Sequence, residues 1–508
     1  MNIDFLPNPS HIAMPEPFRL TRIPSLKTTD AFRSHIAALG IELPCEDAIE
    51  SGDDAIIASP VGSLTVGGKQ IGNRIAIHPM EGWDGTRTGG VTGDMRRRWQ
   101  RFGESGAKLI CGCEAMAVRP DGRANPNQLI ICEENKAGIG ELMDILRKAH
   151  VAKYGSDDDL VIGFQLTHSG RFCRPNDNQV YEAQVAYRHP ILDAKFKVES
   201  DEQIWTDDEI WELIQCYIRA AKIAKDLGAD FVDIKHCHGY LLHEFLGAHT
   251  RPGEFGGSFE NRTRILREIV AGIRSSGNDI DFAVRLSCFD KVPHRPDPEL
   301  SRPGKLGPGI PEEHSEFLPY RFGFGVNQDD PTEIDLEEPL RFVDLCADLG
   351  VKILNTSAGS PYYTPHLQRP AAYPPSDGYQ PAYDPLVDLE RQVQAVRQIK
   401  EQIGDRMVVV GSGYSYLQEY LPHVSQYVLR NGWADMIGLG RVVLSYPDIL
   451  ADAAKNGELT KRQICRTFSD CTTAPRNGII SGCYPLDPYY ASRLEAQEVK
   501  AAKKRMGS

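Results

Sequence analysis

Short apolar runs alternate with longer stretches of helical periodicity from about residue 57 onward. Most of these runs are nearly continuous and rich in β-branched residues, which is typical of parallel strands covered on both faces. Such runs, separated by helical stretches, indicate βαβ units. The eight runs lie at residues 74–78, 108–112, 160–167, 230–235, 282–287, 351–356, 407–411 and 435–439. The pattern therefore predicts an α/β fold, a closed (β/α)8 TIM barrel, with an open doubly wound sheet as the alternative.

The clearest helix signal precedes the fourth run. Thr206 and Glu209 stand at the two ends of a capping box, the sequence signature of a helix N-terminus. Apolar residues then recur at the spacing of one helix face from Ile210 to Ala224. We expect a helix that begins directly after Thr206.

Three segments do not fit the strand and helix repeat. Residues 1–56 form an N-terminal extension with one candidate helix at 29–39, and residues 461–508 form a C-terminal tail that ends in a basic helix at 495–506. The third segment is a long loop rich in Pro and Gly at 289–334, within a barrel assigned to 57–460. Because it follows strand five, we expect this loop at the C-terminal mouth of the barrel, where active sites are built. We expect the loop and the pair Tyr362 and Tyr363, which follows strand six, to shape the pocket.

Charge and composition narrow the class of function. The 508 residues include 57 Lys and Arg against 70 Asp and Glu, a formal charge of −13, which argues against partners such as nucleic acid or an anionic membrane. Charged residues interrupt every apolar stretch before the ~18 positions of a spanning helix, and the N-terminus lacks the pattern of a secretory signal. Twelve scattered cysteines without a CxxC pair indicate reduced thiols. We expect a cytoplasmic protein that acts on a small molecule.

Titratable residues gather at the end of the fourth run. Lys235, His236, His238, Tyr240 and His243 follow one another there, and the C-terminal ends of barrel strands are where catalytic residues are expected. Gly239 permits a turn that brings Tyr240 inward, where its phenol, protonated at neutral pH, can donate a proton. The three histidines lack the partners and spacing of a metal site, so no metal is expected.

Other strand ends carry residues suited to an anionic ligand. Gln165 ends the third run, and Arg285 lies inside the fifth, where a buried guanidinium needs an anionic partner. Gly413 follows the seventh run, and Gly440 and Arg441 follow the eighth, which is where barrel phosphate sites usually lie. A ligand with a phosphate at one end and an electron-rich ring at the other fits all of these positions.

Together these residues resemble the Old Yellow Enzyme family of FMN-dependent oxidoreductases over about residues 57–455. The most specific stretch is Gly-Gly-Ser-Phe-Glu-Asn-Arg at 256–262. The other matching blocks stand in the family's order at 73–80, 114–123, 165–171, 238–242, 283–287 and 439–441.

The resemblance implies a role for each matching residue. The flavin ring would be lined by Pro79, Met80, Glu81 and Ala115. Gln165 would bind the pyrimidine edge, and Arg285 would stabilise the anionic reduced flavin near N1. Gly413, Gly440 and Arg441 would hold the phosphate. His238 and the residue at position 235 would bind the substrate's activating group, and Tyr240 would protonate the substrate carbon.

The resemblance also implies a reaction. NADH or NADPH would reduce FMN, and an electron-poor alkene would then take hydride from flavin N5 and a proton from Tyr240. Two alternatives stay open: an FMN-dependent dehydrogenase or demethylase of an amine or N-methyl compound, and a flavin- or ligand-binding barrel without turnover. A homo-oligomer is compatible with the sequence.

Two features depart from the family pattern. Lys235 stands where the family commonly has His, and Glu81 stands where it usually has Thr or Cys, so we hypothesise a pair between Lys235 and Glu81. The tail resembles the larger branch of the family, which includes 2,4-dienoyl-CoA reductase and trimethylamine dehydrogenase and binds a four-iron cluster. Only Cys471 and Cys483 keep the spacing of its ligands, and Cys465 is one residue off. Because such a cluster needs four thiolates, we expect no iron–sulfur cluster.

Overall fold

A closed barrel of parallel strands forms the centre of the protein. The computed structural model describes residues 20–52 and 54–505. Within that part, the barrel strands are β1 (Ile75–Ile77), β2 (Leu109–Ile110), β3 (Val161–Thr167), β4 (Phe231–His236), β5 (Asp281–Ser287), β6 (Ile353–Ser357), β7 (Val408–Gly411) and β8 (Met436–Leu439). Each strand pairs with the next along the chain, and Ile437 of β8 pairs with Ile75 of β1. The predicted TIM barrel is confirmed, and the open sheet is wrong.

The helices surround this barrel and alternate with its strands. Thr206 and Glu209 form both hydrogen bonds of a capping box, so the helix predicted to begin after Thr206 is confirmed. The α-helices are Thr29–Leu39, Gly93–Gly103, Lys136–Tyr154, Leu192–Phe196, Asp207–Asp226, Leu241–Leu246, Phe259–Arg262, Arg264–Ser275, Glu337–Asp348, Pro365–Gln368, Leu386–Ile403, Leu421–Arg430, Ile449–Asn456, Asp470–Arg476, Pro488–Ala491 and Glu495–Lys504. None of the described helices is long and apolar enough to cross a membrane.

Two layers of side chains fill the barrel. The lower part is apolar and includes Val161, Phe231 and Ile353. Side chains nearer the carboxyl ends of the strands are polar, among them Gln165, Asp233, Arg285 and Asn355, and all of these are buried. The interior of the barrel thus contributes apolar packing at one end and binding groups at the other, as is typical of such barrels.

The segments outside the repeat pack onto the barrel. The helix at Thr29–Leu39 is where the periodicity predicted it, and Phe32 stacks on Tyr420 with 4.1 Å between ring centroids. The loop at 289–334 contains a short hairpin, in which His294–Pro296 pairs with Gly309–Pro311. It packs against the segment after β6, since the His294 N–H donates to the Tyr363 carbonyl.

The tail folds into short helices. The basic helix predicted at 495–506 runs from Glu495 to Lys504. Residues 1–19, 53 and 506–508, and therefore the predictions about the N-terminus and Met506, lie outside the described residues. The division into an extension (1–56), a barrel (57–460) and a tail (461–508) stays a prediction.

Candidate functional site

An open cleft with a cavity volume of about 230 Å³ lies at the C-terminal mouth of the barrel. All twelve residues that the sequence nominated for catalysis or cofactor binding line this cleft. They are Pro79, Met80, Glu81, Ala115, Gln165, Lys235, His238, Tyr240, Arg285, Gly413, Gly440 and Arg441. They come from seven different strands or from the segments that follow them, and closure of the barrel brings them together.

The Glu81 carboxylate is the centre of a buried polar cluster. Lys235 Nζ lies 2.9 Å from Glu81 Oε1, so the hypothesised pair is confirmed. The Tyr240 hydroxyl donates to Glu81 Oε2 at 3.0 Å, and the Trp83 indole N–H donates to the same oxygen at 3.4 Å. Lys235 Nζ also lies 3.4 Å from the centroid of the Tyr240 ring. Lys235 therefore belongs to the cleft wall rather than to the barrel floor.

Tyr240 is held in its protonated form. Burial raises the pKa of its phenol well above the ordinary value, and the nearby Glu81 and Tyr362 raise it further. The chain reaches this position through a left-handed turn, with φ of 67° at His238 and 74° at Gly239. A Cβ at Gly239 would lie 3.0 Å from the Tyr363 ring, so this close approach favours glycine.

His238 lines the cleft as a neutral imidazole. Burial and the positive charges of Arg285 and Lys235 hold the pKa of His238 well below its usual range. Its Nε2 lies 2.9 Å from the Ser357 hydroxyl and 3.5 Å from the Gln368 amide nitrogen. A neutral imidazole in this position can donate one hydrogen bond to a polar group in the cleft.

Arg285 brings a positive charge to the lower wall of the cleft. Its Nη1 donates to the Pro79 carbonyl at 3.4 Å, and its Nε is buried without a partner among the described residues. Gln165 lies beside it and donates from Nε2 to Asp233 Oδ2 at 2.7 Å. This end of the cleft therefore offers a guanidinium and an amide to a ligand.

The other end of the cleft concentrates two further guanidiniums. Arg441 donates to the Pro370 carbonyl at 3.1 Å, while its Nη1 is buried without a partner among the described residues. Arg369 donates to the Thr472 hydroxyl, and its Nη2 is likewise without a partner. Burial and the neighbouring Arg441 charge lower the pKa of Arg369 to about 9. The like charges of Arg369 and Arg441 repel each other, and an anion between them would relieve that repulsion.

Glycines shape the cradle beside these cations. Gly413 has φ of 91°, and a Cβ there would lie 3.1 Å from the Gln392 amide. At Gly438 in β8, a Cβ would approach the His78 ring within 2.2 Å, so only glycine fits between the strands at this point. The backbone can therefore approach a ligand closely at the ends of β7 and β8.

Several cleft residues were missed by sequence reasoning. They come from the segments after β1 and β6 and from the tail helix Asp470–Arg476, namely Trp83, Gln368, Arg369, Cys471, Thr472 and Arg476. Tyr362 also lines the cleft, as the sequence predicted, whereas Tyr363 does not. Arg476 pairs with Asp377 at 2.9 Å, and its guanidinium carbon lies 4.1 Å from the centroid of the Tyr362 ring. The tail therefore forms one wall of the cleft, which its sequence pattern did not indicate.

Other residues near the nominated motifs lie elsewhere. Arg171 forms buried ion pairs with Asp193 and Glu244, both at 2.5 Å, and does not line the cleft. The loop at 289–334 contributes no described residue to the cleft lining, so the prediction that it shapes the pocket is wrong. The chain segment after β6 takes that place.

The cysteines of the tail do not form a metal site in the described part of the chain. Cys465, Cys471 and Cys483 are free thiols, and no group of three or more His, Cys, Asp or Glu side chains there could hold a metal ion. The three histidines at 236, 238 and 243 are not such a group either.

Comparison with known proteins identifies the barrel. Residues 62–297 match the model of the NADH:flavin oxidoreductase / NADH oxidase family. The NADPH dehydrogenase of Geobacillus sp. (strain WCH70) is 32% identical over 240 residues, which cover 45% of this chain and 63% of that protein. The resemblance to the Old Yellow Enzyme family is thereby confirmed. The matches to the first curated relatives span less than two thirds of those relatives' length.

Solved structures support the same fold. A 2-naphthoyl-CoA reductase in complex with 2-naphthoyl-CoA has a TM-score of 0.60 at 18% identity, and the match covers 87% of this chain and 58% of that chain. The Old Yellow Enzyme homologue from Zymomonas mobilis has a TM-score of 0.52 at 21% identity, with coverage of 80% and 94%. At these identities the likeness shows the fold alone.

The residues present fit the FMN that the family match implies. Buried guanidinium nitrogens of Arg285, Arg369 and Arg441 lie along the cleft and have no partner in the described part of the chain. Arg369 and Arg441 meet beside the glycines at the ends of β7 and β8, a donor set suited to a phosphate. Arg285 and Gln165 would face the ring, as charge and amide near a flavin do.

Proposed function

We propose that this protein is an FMN-dependent NAD(P)H oxidoreductase that reduces an activated, electron-poor C=C bond. The observation that carries the proposal is the Tyr240 hydroxyl, which is held protonated in a cleft whose cations suit FMN. A reductase needs such a proton donor beside the cofactor, because the substrate carbon takes up a proton as well as a hydride. Bound FMN would supply the hydride transfer between nicotinamide and substrate.

The chain's own groups divide the remaining work. Arg369, Arg441 and the backbone at Gly413 and Gly440 would bind the phosphate, and Pro79, Met80 and Ala115 would line the ring. His238 would donate a hydrogen bond to the activating group of the substrate. Arg285 would stabilise negative charge that develops on the ring.

The pairing of Glu81 with Lys235 determines the charge on the substrate side of the cleft. Because the carboxylate neutralises the ammonium at 2.9 Å, Lys235 does not present a free charge to the substrate. The carboxylate also accepts a hydrogen bond from the Tyr240 hydroxyl, so it holds the phenol at the cleft wall in one orientation. The proposal therefore assigns Glu81 to positioning of Tyr240, in addition to its place beside the flavin.

The mouth of the cleft favours reduction over the oxidation of amines. Arg476 lies over the face of Tyr362, and Arg174 lies 4.8 Å from the centroid of Trp83. Aromatic faces that bind a cationic amine are thus already covered by guanidiniums. Twelve free cysteines accord with a reducing compartment such as the cytoplasm, which we include in the proposal.

The test is a pair of half-reactions on the purified yellow protein. Under anaerobic conditions, we expect NADH or NADPH to reduce the flavin and bleach its colour. An enone should then reoxidise the flavin and restore the colour. Bleaching by a methylated amine alone would replace the proposal with an amine dehydrogenase. A flavin that no nicotinamide bleaches would indicate a binding barrel without turnover.

A further inference from the structure

A carboxylate lies directly below the cleft, in the barrel interior. Asp233 of β4 is wholly buried, and its Oδ2 accepts the 2.7 Å hydrogen bond from Gln165 Nε2 on β3. Its Oδ1 has no partner among the described residues. A carboxylate can only accept hydrogen bonds, so it fixes which end of the Gln165 amide faces it. The Gln165 oxygen is then the atom left for a donor in the cleft that Gln165 lines.

The groups that face Asp233 come from each neighbouring strand. Gln165 of β3 is neutral, Arg285 of β5 and Lys235 of β4 are positive, and Cys111 after β2 is a thiol whose pKa burial and Asp233 raise. Burial raises the pKa of Asp233 to about 6, while Gln165 and Arg285 act to lower it. At pH 8 the side chain is therefore a carboxylate, and it lies near the same Arg285 that serves the cleft.

A buried negative charge acts on the cleft over a short distance. Because Asp233 is wholly buried, salt and bulk water screen its field only weakly. Arg285 alone would favour electron uptake by a flavin above it, and a carboxylate nearby opposes that effect. Among the described residues, the Asp233 carboxylate also accepts the only side-chain hydrogen bond that the Gln165 amide donates.

We propose that Asp233 orients the Gln165 amide toward bound FMN and, by offsetting the charge of Arg285, lowers the reduction potential of that FMN. The inference rests on the proposed function, because it requires FMN in the cleft. Asp233 is a positioning residue in this account, since it reaches the cofactor through Gln165 and through its charge. The carboxylate itself touches neither substrate nor flavin.

The test is the reduction potential of the holoenzyme with Asp233→Asn, measured at pH 8 against a dye of known potential. We expect the equilibrium constant for two-electron reduction of the flavin to rise at least tenfold, which corresponds to about 30 mV. Below pH 6 the difference from the wild type should shrink, because the wild-type carboxyl then takes up a proton and becomes neutral. Asp233→Glu keeps the charge. Its equilibrium constant for two-electron reduction of the flavin should therefore lie within threefold of the wild-type value.

A matched control separates charge from general disturbance. Asp290 is also a buried acid, with a pKa that burial raises to about 6, but it bonds to Tyr363 and Thr364 and does not line the cleft. Asp290→Asn should leave the potential unchanged. Two results would overturn this inference and leave the proposed function standing. One is equal potentials in the wild type and Asp233→Asn, and the other is a shift in Asp290→Asn as large as that in Asp233→Asn. Failure of the wild type to bind FMN would instead overturn the proposed function, and this inference with it.

Discussion

The buried pair of Lys235 and Glu81 makes a quantitative prediction about stability. Their side chains are 4% and 12% exposed, and the charged atoms are 2.9 Å apart. Removing one partner of a buried pair costs about 3–5 kcal/mol, because the other charge is left without compensation. Lys235→Met leaves the Glu81 carboxylate with only neutral donors, the Tyr240 hydroxyl and the Trp83 indole. We therefore expect a loss near the lower end of that range, about 3 kcal/mol.

The complementary changes complete a double-mutant cycle. Glu81→Gln leaves the Lys235 ammonium over the Tyr240 ring, an interaction that recovers about 2 kcal/mol when desolvated. The double variant removes both charges together, so its loss should be smaller than the sum of the single losses by about 2 kcal/mol. The assay is equilibrium urea unfolding of each variant, followed by fluorescence and circular dichroism, with coincident transitions required.

A surface pair supplies the control for this cycle. Lys225 and Asp279 are 2.7 Å apart but 47% and 83% exposed, and we expect little coupling between Lys225→Met and Asp279→Asn. The reasoning is refuted if the Lys235 and Glu81 losses add within about 0.5 kcal/mol, because the two charges would then contribute independently of each other.

The remaining predictions concern the site and its dependence on pH. Tyr240→Phe should slow substrate reduction by about 10²–10⁴-fold while flavin reduction by NAD(P)H stays nearly unchanged in stopped-flow traces, and equal losses in both would contradict a proton donor. Arg369→Met should weaken FMN binding by roughly 10–150-fold, the value of a charge-assisted hydrogen bond, while riboflavin, which lacks the phosphate, should bind unchanged in the same titration. The pKa of Asp290 is raised to about 6 in the fold against about 3.9 in the unfolded chain, so its contribution to stability is present below pH 4 and is lost as pH rises through 6. The urea midpoint of the wild type should therefore fall relative to Asp290→Asn over that range, and parallel pH profiles would contradict the assignment.

The fold followed from the sequence because its signals are local. Each barrel strand is a short apolar run, and the capping box at Thr206 is complete within four residues, so neither requires knowledge of distant contacts. The twelve nominated site residues lie within motifs at strand ends. Once the barrel closes, those ends meet at one mouth, and the cleft is a geometric consequence.

What the sequence could not supply is contact between parts of the chain that carry no shared pattern. Arg369 follows β6 and Arg476 lies in the tail, and only the folded chain places both beside the motifs of β7 and β8. Loop 289–334 has the composition of a pocket element, yet the packing places it behind the segment after β6.

The pairing of Glu81 with Lys235 shows what the sequence indicates and what only the tertiary structure decides. The sequence shows two departures from a family pattern, 154 positions apart. Whether such side chains meet depends on the curvature of the barrel, and the turn at Gly239 brings the Tyr240 hydroxyl to the same carboxylate. The sequence by itself thus determined the strands, the helices and the types of residue at the mouth. The tertiary structure decided which charges neutralise each other, because burial and distance, rather than residue type, set the strength of an electrostatic interaction.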